Sequence, residues 1–313
     1  MVARSSARVA LLAVVAALLT SLLVAFPGPS AAAAADPQDD QPQLPARCDP
    51  AGDNVPHQAG ACYLTRFRKN RPTVVMWGDS HAWQHIPAAR PLARERNVNL
   101  VMFMLGGCPP ILVGPHFKKT LYACEKSNQL ALEFVRRLKE EGKQPVRVLL
   151  GAFWEGYRSV YEGLYVTGTA DPSDYTPTQR RSARTFHRST PRLFARLAEL
   201  RVRVDAIGQA ATVAATLPEG PRPCLLAQHP YECQVPRAQA LPHEADWNRW
   251  FGEVMRPLPG RSRVINFNDP YCDASTCREK VDDIYTFFDA IHLSASRTAT
   301  FKRYFAATFR GLR

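Results

Sequence analysis

A chain of 313 residues, 46% of them apolar, can bury a full core without covalent help and has room for about one large domain. Its formal charge is +12, of which Arg4 and Arg8 belong to an N-terminal segment holding no acid, so the rest carries about +10. The basic side chains are scattered rather than interleaved with aromatics in one stretch, which argues against a nucleic-acid surface and leaves anionic polymers as the partners such charge meets.

Behind those two arginines an apolar run from Val9 to Phe26 ends at Pro27-Gly28-Pro29 and the small-residue tract Ala31 to Ala35. That order reads as a secretory signal peptide over residues 1–35. The run is near the lower length limit for a membrane span, so an uncleaved anchor contacting the membrane is the alternative. Either way the remainder is exported, to a periplasm, a cell envelope or the medium. Residues 36–46, rich in Pro, Gln and Asp, are expected to form an unstructured linker, and residues 47–313 one globular domain.

Thr73 to Trp77 is a short apolar, β-rich run ended by Gly-Asp-Ser. The spacing predicts a helix from Ala82 to Arg96, despite Pro87 and Pro91 near its start, and then a strand from Asn99 to Met104. A helix from Cys124 to Glu141, with Leu130, Phe134, Val135 and Leu138 on one face, leads to a third strand from Arg147 to Leu150. A helix from Ser182 to Leu200, strands from Val202 to Gly208 and from Arg263 to Phe267, and a last helix starting about Ser294 complete the pattern. Apolar strands alternating with helices are covered on both faces, so the expected fold is α/β: three layers, α/β/α, around a mostly parallel five-stranded sheet. In such sheets function gathers at the carboxyl ends of the strands.

All eight cysteines lie beyond residue 35, and an even number in an exported chain implies four disulfides. They fall into sequence-local couples, and the expected bridges are Cys48 with Cys62, Cys108 with Cys124, Cys224 with Cys233, and Cys272 with Cys277. A metal site is the weaker alternative, because no Cys-x-x-Cys pair occurs. Nucleotide-binding glycine loops are absent too, so neither metal nor cofactor is implied.

Gly78-Asp79-Ser80-His81 follows the first strand and opens the first helix. A serine there sits at a helix N-terminus, where backbone N–H groups favour negative charge growing on a substrate oxygen. An ordinary helix cap is the competing reading of the same tetrapeptide. A serine nucleophile needs a base, and the base needs an orienting carboxylate. Asp289-Ala290-Ile291-His292 supplies both, three residues apart on one side of a tight turn.

Gly-Asp-Ser-His near the start and Asp-x-x-His-Leu-Ser near the end resemble blocks one and five of the SGNH, or GDSL-like, hydrolases. Gly106-Gly107-Cys108-Pro109-Pro110, Cys124 with Asn128, Trp154, Pro223-Cys224-Leu225, Cys233, and Cys272 with Cys277 are similar to the SGNH domains fused to acyltransferase-3 membrane proteins. The resemblance spans about residues 72 to 300. It implies a flavodoxin-like fold and transfer or hydrolysis of O-acyl groups, typically acetyl, on envelope glycans. On that basis Ser80 is the nucleophile, His292 the base and Asp289 its orienting partner. The Ser80 amide is the first oxyanion donor and Gly106 or Gly107 the source of a second, a plain turn being the alternative for the glycines.

The departure is in block three, where SGNH esterases carry Gly-x-Asn-Asp and this chain has Gly151-Ala152-Phe153-Trp154. Trp154 is a candidate for stacking on a sugar, with a core position as the alternative, and His81 a candidate for orienting substrate or else for packing. Asp79 is expected to brace the loop, and Glu155 and Arg158 are polar candidates for substrate contact, with plain surface charges as the alternative. The expected partners are a glycan acceptor and an acyl donor, with any membrane acyl exporter a separate protein. A non-catalytic glycan-binding module on the same fold is the competing function, and a lipase a weaker third, since no amphipathic interface helix stands out.

Overall fold

The computed structural model describes residues 36–52, 54, 59–112, 122–142, 144–162, 176–213, 217, 220–226 and 233–312. The expectations for residues 1–35 lie outside them. In chain order the elements are β1 (Cys62–Tyr63), β2 (Thr73–Gly78), α1 (Ser80–Trp83), α2 (Ile86–Glu95), β3 (Asn99–Met104), α3 (Tyr122–Glu141), β4 (Val146–Gly151), α4 (Trp154–Glu162), α5 (Pro177–Glu199) and β5 (Arg203–Ile207). They continue with α6 (Arg222–Leu226), β6 (Gln234–Pro236), α7 (Arg237–Ala240), α8 (Glu244–Val254), β7 (Arg263–Ile265), β8 (Thr276–Arg278), β9 (Lys280–Val281), β10 (Ile284–Tyr285), α9 (Ala295–Ala299) and α10 (Lys302–Phe305).

Among the described residues the main sheet has six strands in the order β1-β3-β2-β4-β5-β7. The five inner-sequence strands pair in parallel. The sixth, β1, lies antiparallel on β3 with Cys62 opposite Met102. It corrects the expected count of five: two residues are too short to show an alternation, and the strand exists because β3 offers it an edge.

Strand side chains alternate between two cores. Val74 and Met76 join Leu100, Met102 and Leu149 on one face, covered by Ile86, Ala89 and Leu92 of α2 and Phe305 of α10. Val75, Trp77, Val101, Val148 and Leu150 face the other, covered by Phe134 and Val135 of α3, Phe186 and Leu193 of α5, and Trp247 and Phe251 of α8. Both faces being dry explains the unbroken apolar runs, and each fully buried Val, Leu or Phe contributes about 1.5–3 kcal/mol. The connection leaving β2 packs on the first face and that leaving β4 on the second, so the topological switch point lies between the carboxyl ends of these two neighbours.

The disulfides link Cys48 to Cys62, Cys108 to Cys124, Cys224 to Cys233 and Cys272 to Cys277. Asn128 fastens one such loop to the sheet: it accepts from Trp77 Nε1 at 2.7 Å and from the Ile111 amide at 3.2 Å, and donates to Pro109 O at 3.1 Å. At the far end of β4 the buried Arg147 donates to the carbonyls of Ala307 and Thr308 and ties the C-terminal segment to the sheet.

Three further differences have local causes. The helix expected over 82–96 is two, α1 and α2, because Pro87 cannot donate to the turn before it and the chain restarts at His85. Residues 36–46 are not an unstructured linker: Pro37 and Leu44 are buried, and Asp40 O accepts from the Ala295 amide at 2.8 Å. Helix α8, absent from the sequence reading, buries Trp247, Trp250, Phe251 and Val254.

Gly78 and Gly151 stand opposite each other across β2 and β4, and a Cβ on Gly78 would fall 1.7 Å from Gly151 O. Gly78→Ala is therefore expected to lower the unfolding free energy by about 3 kcal/mol or more in a denaturant titration. Gly106→Ala, whose added Cβ meets nothing within 4 Å, should change it by about 0.5 kcal/mol at most.

Candidate active site

Three elements converge at the switch point. Strand β2 delivers Gly78, and Asp79 caps α1 by accepting from the His81 amide at 2.8 Å, so Ser80 becomes the first helical residue. A Cβ on Gly151 would come within 2.9 Å of Ala82 Cβ, so the two glycines are what let α1 sit this close on the strand ends. Closeness to a neighbouring strand, rather than the turn alone, is the reason for glycine at 78.

The loop after β10 brings the other two groups. Asp289 Oδ1 accepts from the amides of Ile291 at 2.8 Å and His292 at 2.7 Å, which folds the tetrapeptide into a tight turn. Its Oδ2 accepts from His292 Nδ1 at 2.7 Å, and Ser80 Oγ donates to His292 Nε2 at 2.8 Å across 212 residues. Burial raises the Asp289 pKa, but the bond from the His292 ring, the His292 charge and the two amides outweigh it and hold the carboxyl below its usual value. Asp289 is thus an acceptor, which leaves Nε2 free to take the serine proton.

Around this row the ring of His292 is bracketed. Phe288 stacks on it at 5.5 Å with planes 7° apart, and Trp83 meets it edge-on at 6.2 Å. Gln84, fully buried at the end of α1, accepts from the Leu293 amide at 2.8 Å and so couples the serine helix directly to the histidine loop. Behind Gln84 lies His85, also fully buried, against Phe267 and Phe305. Burial holds the His85 ring neutral, with its pKa pushed down to about 3.

Asp79 does more than cap. Its Oδ2 accepts from the Phe153 amide and from the Tyr157 hydroxyl, both at 3.0 Å. Burial nevertheless raises its pKa, against the pull of these bonds. The Phe153 amide, at the position where the block-three asparagine would stand, is therefore already engaged. Among the described residues the Ser80 N–H has no protein acceptor. Gly106 and Gly107 are exposed in the turn after β3, drawn beside β2 by the Leu105 amide donating to Gly78 O at 3.3 Å.

Two sequence candidates are corrected. Trp154 is fully buried, donates its indole N–H to Ile207 O at 2.8 Å, and packs against Phe186, Trp250 and Phe251, so no face is left for a sugar. His81 is buried behind the row, stacked on Phe153 at 4.6 Å and 4.8 Å from the His292 ring, so it packs rather than orients substrate. Glu155 and Arg158 are not free surface charges either: Glu155 accepts from Gln209 at 2.7 Å inside the protein, and Arg158 lies over the Trp247 ring. Sequence reasoning passed over Gln84, Tyr157 and Phe288, and nothing in a single chain marks a glutamine or a tyrosine whose partner lies 209 or 78 residues away.

A serine, a histidine and a carboxylate in one hydrogen-bonded row at the carboxyl edge of an α/β/α sheet are the groups that serine-dependent acyl transfer uses. The chain belongs to the family of SGNH domains fused to AT3 domains, whose profile matches residues 47–307. Membership supports an acyl-transfer or esterase role in general terms. The periplasmic domain of the lipopolysaccharide acetyltransferase of Salmonella ser. Paratyphi A is similar in structure at 14% identity, over 77% of this chain and 84% of that one, with a TM-score of 0.49. No curated protein matches the chain significantly in sequence.

Two tests probe the scaffold without assaying activity. Gln84→Leu leaves the buried Leu293 amide unpaired and should destabilise the fold by about 1–3 kcal/mol, with faster hydrogen exchange at Leu293, while Gln84→Glu keeps the acceptor and protects that amide. His85 takes up its proton in the unfolded chain near pH 6.5 but in the folded one only near pH 3. Its contribution to stability is therefore whole above pH 6.5 and falls as the solution is acidified, by about 2 kcal/mol at pH 5. The slope of unfolding free energy against pH should flatten in His85→Leu.

Proposed function

We propose that the protein is an exported serine-dependent O-acyltransferase or O-acetylesterase acting on a cell-envelope or secreted polysaccharide. The observation that carries the reading is the continuous row from Ser80 Oγ through His292 to Asp289, with links of 2.8 and 2.7 Å. Ser80 Oγ attacks the acyl carbonyl carbon while its proton passes to His292 Nε2. The carbonyl oxygen takes the negative charge and is held by the Ser80 amide, with Gly106 or Gly107 offering the second donor. Collapse of that intermediate breaks the ester bond, and the departing alcohol leaves with the proton from His292. A sugar hydroxyl or water then gives its proton to His292, attacks the acyl-serine and regenerates Ser80. Asp289 stabilises the imidazolium formed in both halves.

Transfer and hydrolysis differ only in the second nucleophile, so the partners proposed are a glycan acceptor and an acyl donor, with a separate membrane acyl exporter as the source of the donor. The basic charge suits an anionic acceptor. A non-catalytic glycan-binding module is the rival reading, favoured by one observation: the Phe153 amide serves Asp79 and so supplies no oxyanion donor.

Hydrolysis of p-nitrophenyl acetate separates the two. The parent protein is expected to release p-nitrophenol and to be labelled at Ser80 by a fluorophosphonate. Ser80→Ala and His292→Ala, folded to the same extent, should lose at least about 10³-fold in kcat, and Asp289→Asn about 10³–10⁴-fold. A parent no faster than its Ser80→Ala variant, and unlabelled, would transfer the assignment to the binding module.

A further inference from the structure

The amino ends of the strands, at the opposite edge from Ser80, carry an open cavity of about 420 Å³. Its walls hold five arginines, Arg47, Arg66, Arg71, Arg90 and Arg94, together with Thr65, and no carboxylate. That volume lies within the range of small-ligand sites, about 300–1,000 Å³. Arg71 lies two residues before β2 and Arg94 in the last turn of α2. The six residues of β2 put a distance of about 20 Å between this cavity and Ser80.

The five arginines share one cavity with no carboxylate in its walls. Arg136, Arg196, Arg237, Arg249 and Arg278 each meet a carboxylate. Among the described residues none of the five cavity arginines does, and Glu95, next to Arg94, is taken by Lys302 at 2.5 Å. Two are also held in place by the chain. Arg90 Nε donates to Leu64 O at 3.0 Å and the Arg47 guanidinium donates to Tyr63 O, both at strand β1 and the residue after it. Burial first, and then the neighbouring charges of Arg94 and Arg47, lower the Arg90 pKa.

Guanidinium forks match the oxygen geometry of phosphate, and crowding several of them raises the free protein's energy until an anion arrives. None of the lining residues is aromatic, so nothing there selects a nucleobase. We propose that this cavity binds a phosphate-type oxyanion, as an anchoring subsite separate from the Ser80 edge. The proposal does not depend on the catalytic reading. The phosphate can come from a soluble phosphorylated polymer or from a lipid headgroup, and the two sources are distinguishable.

The experiment is titration calorimetry of the full chain with inorganic pyrophosphate, beside co-sedimentation with phosphatidylglycerol vesicles read as the excess over phosphatidylcholine vesicles. The variants are Arg66→Gln with Arg94→Gln in the cavity and, with the same change in net charge, Arg256→Gln with Arg261→Gln on exposed positions elsewhere. Circular dichroism checks that both fold. One-to-one pyrophosphate binding that the cavity pair weakens by at least about tenfold, and the control pair by less than about twofold, supports the site and a soluble source. No pyrophosphate binding, with a vesicle excess lost in the cavity pair alone, supports it with a lipid source. Absence of both, or equal loss in the two pairs, overturns it.

Discussion

The contact between Gly78, Gly151 and Ala82 sets the geometry on which the site depends. Two neighbouring parallel strands end side by side, and α1 descends onto them with less room than a methyl group needs. Because that approach is so close, the cap at Asp79 and the position of Ser80 have no freedom along the strand axis. Asp79 then turns the same constraint outward, reaching Phe153 and Tyr157 at the start of α4. The serine is therefore braced from two sides of the sheet apart from its contact with His292.

The second half of the site is joined to the first without covalent help. The disulfides close intervals of 14, 16, 9 and 5 residues, and none links the Ser80 helix to the 289–292 loop. That job falls to the Ser80–His292 and Gln84–Leu293 hydrogen bonds and to the aromatic packing of Trp83 and Phe288 around His292. Bridges of this kind stiffen loops locally, each limiting the unfolded chain by a short closure. The alignment of Ser80 with His292 rests on polar contacts that are buried or partly buried, which are costly to leave unmade and so hold one arrangement.

Charge is divided in the same way between paired and unpaired groups. Some ion pairs are exposed helical neighbours of little energetic weight, such as Arg136 with Glu140. The buried ones serve architecture: Asp205 lies between Arg203 and Arg263 and accepts from Thr308, beside the arginine that fastens the C-terminal segment. The five arginines at the amino edge are set apart by sharing one cavity whose walls hold no carboxylate.

The sequence by itself determined the five parallel strands and the long helices that start near residues 124 and 182, because burial on both faces writes continuous apolar runs and helical spacing directly into the order of residues. It also singled out Ser80, Asp289 and His292, since a strand-terminal serine and an Asp-x-x-His turn are local patterns. The tertiary structure alone decided what those patterns touch. Trp154 went to the core because α5 and α8 close over it, His81 was shut in by Phe153, and residues 36–46 were ordered by contact with Asp40's partner at Ala295. Gln84 and Tyr157 acquired roles through partners in distant segments. Periodicity records whether a residue is buried, but the identity of its neighbours depends on strand order and crossover side, and those are properties of the assembled sheet.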